Sequence, residues 1–269
     1  MPSMLKREFA PISDEAWSEL DETAGDVLKG VLTARKLVDF SGPHGWDCAA
    51  VNLGRLKVSR GKAAGGVPWG LREVQPLVEV RSPFTLAQME IDSITRGAAD
   101  VDDEPLRETV AEAAKFEDDA VFQGFAGGGI TGICQASAHK PVKLPAGAEQ
   151  YPAAVADAQK AMALAGIEGP YALVLAPDPY FALAQAGKGG FPPRRVIEEM
   201  IGGGIHMSRS VNGGVLMSTR GGDFELTVGK DFSLGYAGHD ATNIEFFVTE
   251  SFTFRVLEPK AAVALTVQK

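Results

Sequence analysis

The chain has 269 residues, long for one ordinary domain and short for two. Its 26 Lys and Arg against 35 Asp and Glu give a net charge of −9, which argues against a nucleic-acid binder, since such surfaces normally carry a basic stripe. Apolar runs such as 171–177 fall far below the ~20 residues of a membrane-spanning helix, so no such helix is expected.

The first predicted element is a helix over residues 14–35. Trp17, Leu20, Ala24, Val27, Leu28, Val31 and Leu32 recur at steps of three and four, Ser13 is the candidate N-cap, and Asp14 and Glu15 complement the helix dipole. Gly25 and Gly30 each weaken it by up to about 1 kcal/mol relative to Ala. Residues 37–46 read as a strand entering a Gly-Pro turn. Residues 51–84 read as two extended arms around a glycine-rich tip at 61–66, and so long a hairpin needs another surface to lie on. A second helix starts at Pro105 behind Asp102, Asp103 and Glu104. It carries Leu106, Val110, Ala113, Glu117, Ala120 and Val121 at helical spacing up to Gly124. Further helices are expected at 153–165 and 194–201, with a buried strand at 171–176 between them.

The C-terminal part is β-rich, with strands at 215–219, 224–228 and 261–267. The longest element, 243–257, sets Ile244, Phe246, Val248, Phe252, Phe254 and Val256 on one face. Glu250 interrupts that face, which points to a bulge or an interface charge. Glycine and proline, at 31 and 16 residues, exceed their ordinary combined share of ~12% and imply many turns. Segregated helices and strands without a repeating βαβ unit define an α+β class.

Chemistry is sparse. Gly127-Gly128-Gly129-Ile130-Thr131-Gly132 is formally G-x-G-x-x-G, but a helix precedes it and no clear helix follows, so a loop is favoured over a nucleotide-binding enzyme. His44, His139, His206 and His239 show no zincin spacing, and His239-Asp240 reads as a polar turn. No G-x-S-x-G elbow is present. The acidic run from Asp100 to Glu104 reads as helix capping rather than a metal site. Cys48 and Cys134 are read as reduced thiols of a cytoplasmic protein, and residues 1–10 show no signal peptide. The apolar helix, long hairpin and aromatic strand together ask for partner surfaces, as in an assembly protein.

One set of segments carries a resemblance in chain order over nearly the whole length. They are Lys6-Arg7-Glu8-Phe9-Ala10-Pro11-Ile12, Trp17, Arg35-Lys36-Leu37-Val38-Asp39, Ser41-Gly42-Pro43-His44-Gly45-Trp46, Phe84-Thr85-Leu86, Glu90-Ile91-Asp92, Arg96-Gly97 and Phe116-Glu117-Asp118. Gly166-Ile167-Glu168-Gly169-Pro170-Tyr171, Arg220-Gly221-Gly222-Asp223-Phe224, Gly235-Tyr236 and Glu250-Ser251-Phe252-Thr253-Phe254 continue it. In these the chain resembles the encapsulin shell proteins.

The resemblance implies a phage major-capsid-like (HK97-type) fold with a peripheral domain, an axial domain and an extended loop. On that template residues 1–50 hold the N-terminal helix and the start of the peripheral domain, and 51–84 form the extended loop. Residues 85–135 continue the peripheral domain with its spine helix, 136–228 are mainly axial, and 229–269 return to the peripheral domain. It also implies containment rather than catalysis: identical subunits form an icosahedral shell (T=1) around cargo enzymes of the ferritin-like iron oxidase or dye-decolorising peroxidase kind. The cargo would dock through a C-terminal targeting peptide on Leu28, Leu32, Arg35, Asp39, Asp231, Phe232, Gly235 and Tyr236. Loop 187–191 would surround a five-fold pore, with Lys188, Gly189 and Gly190 at the opening. Flavin in this family lies near an aromatic residue that Met89 replaces here, so no cofactor is expected; nor is a metal, nucleic acid or membrane partner. A phage major capsid protein is the alternative that shares this fold.

Overall fold

The computed structural model describes residues 3–59, 66–187 and 192–267. Twelve strands and seven α-helices are laid out over them. In chain order these are α1 (Asp14–Val31), β1 (Asp39–Ser41), β2 (Ala50–Val58), β3 (Gly70–Pro76), β4 (Val78–Ala87), α2 (Gln88–Thr95) and α3 (Glu104–Phe122). There follow α4 (Ile133–Ala136), β5 (Val142–Leu144), α5 (Tyr151–Leu164), β6 (Tyr171–Leu175), α6 (Pro177–Gln185) and α7 (Pro193–Ile201). The chain closes with β7 (Gly202–Met207), β8 (Gly214–Ser218), β9 (Phe224–Val228), β10 (Ser233–His239), β11 (Asn243–Val256) and β12 (Ala262–Val267).

A first sheet is organised around the 14-residue β11. Its N-terminal two-thirds lies between β4 and β10, both antiparallel, and its last residues pair with β9, which carries β1 in parallel on its far side. Helices α1, α2 and α3 cover one face. Trp17 and Leu20 of α1, Ile91 of α2, and Leu106 and Val110 of α3 meet Phe84, Leu86, Phe246 and Val248 from the strands. The Phe84 and Phe246 rings stack with centroids 5.3 Å apart, and the Trp17 ring meets Phe246 edge-on.

The second sheet runs β5-β12-β8-β6-β7. Every residue of β6 and β8 is buried, as expected of central strands with neighbours on both edges and helices on the faces. A single apolar cluster joins the two sheets through Phe122, Leu226, Phe252 and Phe254 on one side and Leu173, Leu216 and Val263 on the other. The crossover between sheets falls between β8 and β9, so residues 224–228 lie in the first sheet rather than with the preceding segment. The final strand, β12, returns to the second sheet between β5 and β8 instead of staying with 229–256.

Local chemistry explains the boundaries. The Ser13 hydroxyl accepts from the Ala16 N–H at 3.2 Å, as an N-cap should. Residues 14–31 are helical, but the predicted extension to Arg35 is cut short. Asp118 accepts the N–H groups of Thr33 and Ala34, both at 3.0 Å, and turns the chain into a separate 3-10 turn at Ala34–Lys36. The predicted hairpin also ends early. Strands β2 and β3 pair as a ribbon, while Val78–Ala87 leaves it to join β11. Helices α2 and α6 and strands β7 and β10 carry too little periodicity of their own to have been predicted; Pro177 and Pro179 stand in the first turn of α6, where proline is tolerated.

The glycine-rich segment after α3 is a tight turn closed by a bridge between Phe125 and Ile130. A Cβ on Gly132 would run into the backbone of Gln123 and Gly124, and only four helical residues follow, so the segment offers no phosphate cradle. Gly132→Ala should destabilise the subunit by about 1–3 kcal/mol through this overlap. Urea unfolding monitored by tryptophan fluorescence checks it, and an unchanged midpoint would contradict the packing described.

Candidate functional site: a groove between the first helix and the edge strand

Strand β10 is an edge of the first sheet, and the residues before α1 run along it. The Tyr236 N–H donates to the Leu5 carbonyl at 2.8 Å, and Arg7 Nε donates to the Leu234 carbonyl at 2.9 Å. Between this edge and α1 lies a groove of about 490 Å³. Leu28, Phe232, Leu234 and Val248 supply its apolar lining, and Arg7, Asp21 and Lys230 its charge. Arg7 and Asp21 close on each other as a two-pronged ion pair, with Nη1 to Oδ2 at 2.8 Å, and the Arg7 guanidinium lies 4.3 Å from the centre of the Trp17 ring. Gly25 also lines the groove, and a Cβ there would meet no atom within 4 Å, so the absent side chain keeps this stretch open.

Beside the groove is a buried ion cluster. Arg35 Nε donates to Glu117 Oε1 at 2.9 Å, its Nη2 to Glu117 Oε2 at 2.7 Å and also to Glu250, and its Nη1 to Asp231 Oδ1 at 2.9 Å. Glu117 and Glu250 are fully buried. The cluster therefore joins the turn after α1 to α3, β11 and the turn before β10. The guanidinium also lies 5.1 Å from the ring centres of both Phe40 and Phe232. Desolvation raises the Glu250 carboxyl well above the ordinary carboxylate range, and the neighbouring Glu117 charge adds to the shift. The Arg35 guanidinium is held firmly in its charged form by the three carboxylates against the cost of burial.

The eight residues assigned to peptide docking do not form one surface. Leu28 and Phe232 line the groove. Asp231 borders it through Arg35, and accepts the Phe232 N–H at 2.8 Å, fixing that ring's base. Leu32 is the C-cap of α1, its N–H donating to the Leu28 carbonyl at 2.9 Å one turn below, but it is buried at 7% exposure, so a charge placed there would strike the fold rather than a groove. Asp39 lies apart from the groove, its carboxylate accepting the Gly222 N–H at 2.6 Å. Gly235 is pressed against the Phe247 ring, and Tyr236 is buried with its hydroxyl against His239 Nδ1. Lys188, Gly189 and Gly190 lie outside the described residues.

Sequence reasoning missed Leu5, Arg7, Asp21, Lys230, Leu234 and Val248 as groove residues. Glu117 and Glu250 left a readable signal, since each is an acid on an otherwise apolar face and so requires a buried cation. Strand β11 keeps continuous register with β4 through Glu250 opposite Val80, so Glu250 marks no bulge, and within the subunit its carboxylate is buried against Arg35. His239-Asp240 begins a polar turn, with Asp240 accepting the N–H groups of Thr242 and Asn243. In the acidic run, Asp103 pairs with Arg107 at 2.7 Å. Met89 is 68% exposed. Among the described residues no helix is long and apolar enough to cross a membrane.

Two sheets sharing one apolar cluster, a long helix across one of them and an exposed two-stranded ribbon define a capsid-type subunit. The fold matches a virus-like particle from Pyrococcus furiosus (TM-score 0.64, 19% identity, 92% of this chain and 98% of that one). It also matches the Mycobacterium phage Bobi structure (TM-score 0.59, 15% identity, 89% and 91%). Residues 2–253 match the family model described as encapsulating protein for peroxidase. The type 1 encapsulin shell protein of Rhodospirillum rubrum is 45% identical over 267 residues, covering 97% of this chain and 95% of the relative. The chain belongs to the encapsulin shell protein family.

Removing Arg35 would leave two fully buried carboxyls without their cation. Arg35→Met should therefore cost about 3–5 kcal/mol, with part recovered by adding Glu117→Gln and Glu250→Gln; urea unfolding of the three variants measures it. A second test concerns pH. Burial pushes the Asp118 carboxyl up to about 6, partly opposed by the N–H groups of Ala34 and Thr33. An unfolded aspartate titrates near 3.9, so between about 4 and 6 the folded chain holds a proton that the unfolded chain has lost. The contribution of this group to stability thus grows as pH falls through 6 and is complete below about 4. Relative to Asp118→Asn, the wild-type urea midpoint should rise as pH is lowered from about 7 to 5. Parallel profiles would refute the assignment.

Proposed function

We propose that this shell subunit assembles with copies of itself into a closed icosahedral T=1 nanocompartment in the cytoplasm and captures cargo enzymes by their C-terminal peptides. The observation that carries the docking reading is the groove between α1 and β10, where Leu28 and Phe232 stand exposed to an occupant beside the charged groups. An extended segment with one or two apolar side chains fits such a lining, its chain direction set by the rim charges. The family model names peroxidase as what its members encapsulate, and a dye-decolorising peroxidase or ferritin-like iron oxidase is the cargo class we assign. The subunit's own role is containment, without chemistry or a cofactor of its own. Small ions would enter through openings between the subunits.

The ribbon supports assembly. Leu56, Val58, Val67, Trp69, Leu71 and Val74 are all about half exposed or more on the free subunit, an apolar burden that another copy would cover. Purified protein should elute on size exclusion as megadalton particles and appear as hollow spheres by negative-stain microscopy; a stable monomer or dimer would overturn the reading. Mass spectrometry of particles from the native host identifies the cargo. Leu28→Asp should leave particles intact and lower cargo per particle at least about tenfold, since it places a charge in the apolar lining. Gly25→Ala should raise helix stability by about 0.5–1 kcal/mol and still reduce loading, because the new methyl enters the groove. Undiminished loading in both variants would place the docking surface elsewhere.

A further inference from the structure

The groove's charges are not balanced. Arg7 and Asp21 neutralise each other, and Asp231, next along the chain, is engaged by Arg35. Lys230 is the remaining charged residue in the lining. Its ammonium lies 5.9 Å from the centre of the Trp46 ring, and no carboxylate among the described residues lies within ion-pair distance of it.

That cation is also positioned. The Lys230 N–H donates to Ser251 Oγ at 2.8 Å, and the Lys230 carbonyl accepts from the Ser251 N–H at 2.8 Å. Gly229 before it is so close to the Ser251 hydroxyl and Leu77 that a Cβ would not fit. The main chain at this point is thus clamped to β11, and Lys230 lines the groove from there. Lys230 is half-buried beside an apolar lining, and an ammonium without a carboxylate partner there makes an incoming anion more favourable than at an open surface.

We propose that Lys230 is a specificity-determining residue of the groove that pairs with a carboxylate of the docked peptide, while Leu28, Phe232 and Leu234 take a neighbouring apolar side chain. The inference rests on the docking reading above and adds to it the chemistry of the occupant: an extended segment bearing an anionic group next to its apolar anchor. The carboxylate has two possible sources, an Asp or Glu side chain or the peptide's own C-terminus, and both present the same pair of oxygens to the ammonium.

The test uses assembled shells co-expressed with a fluorescent protein carrying the C-terminal tail of the cargo found by mass spectrometry. Loading per shell is read by in-gel fluorescence. Three tails are compared: the native one, one with its Asp and Glu residues changed to Asn and Gln, and one extended by two glycines to displace the α-carboxylate. Shells carry wild-type Lys230, Lys230→Arg or Lys230→Met. The expected result is an about fivefold loss of native-tail loading in Lys230→Met, near-normal loading in Lys230→Arg, and a matching loss in wild-type shells for the one tail lacking the relevant carboxylate. That tail should lose nothing further in Lys230→Met shells, because the pair is already broken. Equal loading of the native tail by Lys230→Met and wild-type shells would overturn the proposal, as would additive losses. The wild-type shell with altered tails keeps the test valid should Lys230→Met assemble poorly. If Leu28→Asp also fails to reduce native-tail loading, the groove itself is wrong; if Leu28→Asp empties the shells and Lys230→Met does not, only the carboxylate pairing fails.

Discussion

Arg35 holds the subunit's first sheet and its two long helices in one arrangement. A single guanidinium reaches Glu117 on α3, Glu250 in the middle of β11 and Asp231 in the turn before β10. None of these contacts is local in sequence, the nearest partner lying 82 residues away. A buried ion cluster of this kind adds little net stability over an apolar core of equal volume, because desolvation offsets most of the attraction. It does oppose alternative placements, since any shift of α1 relative to β11 would strand a charge away from water. The groove inherits its shape from that constraint: the same guanidinium lies beside Phe232, and Asp231 holds the backbone from which that ring departs.

The residues around it follow the same logic. Asp118, next to Glu117, stops α1 by taking the N–H groups of Thr33 and Ala34, and that stop directs Arg35 inward. Adjacent acids on one helix thus have two tasks, one neutralising a cation and one ending a neighbouring helix. The burial that Asp118 accepts for this is visible in its raised titration range.

Much of the fold was legible because it rests on periodicity. Helices α1, α3, α5 and α7 and the long β11 each carry an apolar stripe or run that dictates their type. What was not legible depended on tertiary partners. Val78–Ala87 continues the alternating pattern of the ribbon, so nothing in its own residues reveals that it pairs with β11 instead. Pro177 and Pro179 disguise the first turn of α6, and β10 owes its strand form to β11. The docking surface was less accessible still. Leu28 and Leu32 do stand one helical turn apart, but Leu32 caps the helix and is buried, because Asp118, 85 residues from Thr33, takes the Thr33 N–H and ends the helix there. Family resemblance brought Leu28, Asp231 and Phe232 together, whereas Arg7, Asp21 and Lys230 reach the groove through packing that no local pattern encodes.

The projecting ribbon gives the subunit an asymmetric character. Its apolar side chains extend from one body, and in the proposed assembly they would be covered by a patch of another copy unlike the ribbon itself. Contacts between unlike patches do not stop at a pair; they propagate until rotation closes the set. Covering the ribbon also removes apolar area from water only when neighbours are present, so the stability of each subunit becomes a function of how many copies surround it. A chain of this design gains its final increment of order from the population rather than from its own sequence, and dilution rather than heat is the condition that tests it most directly.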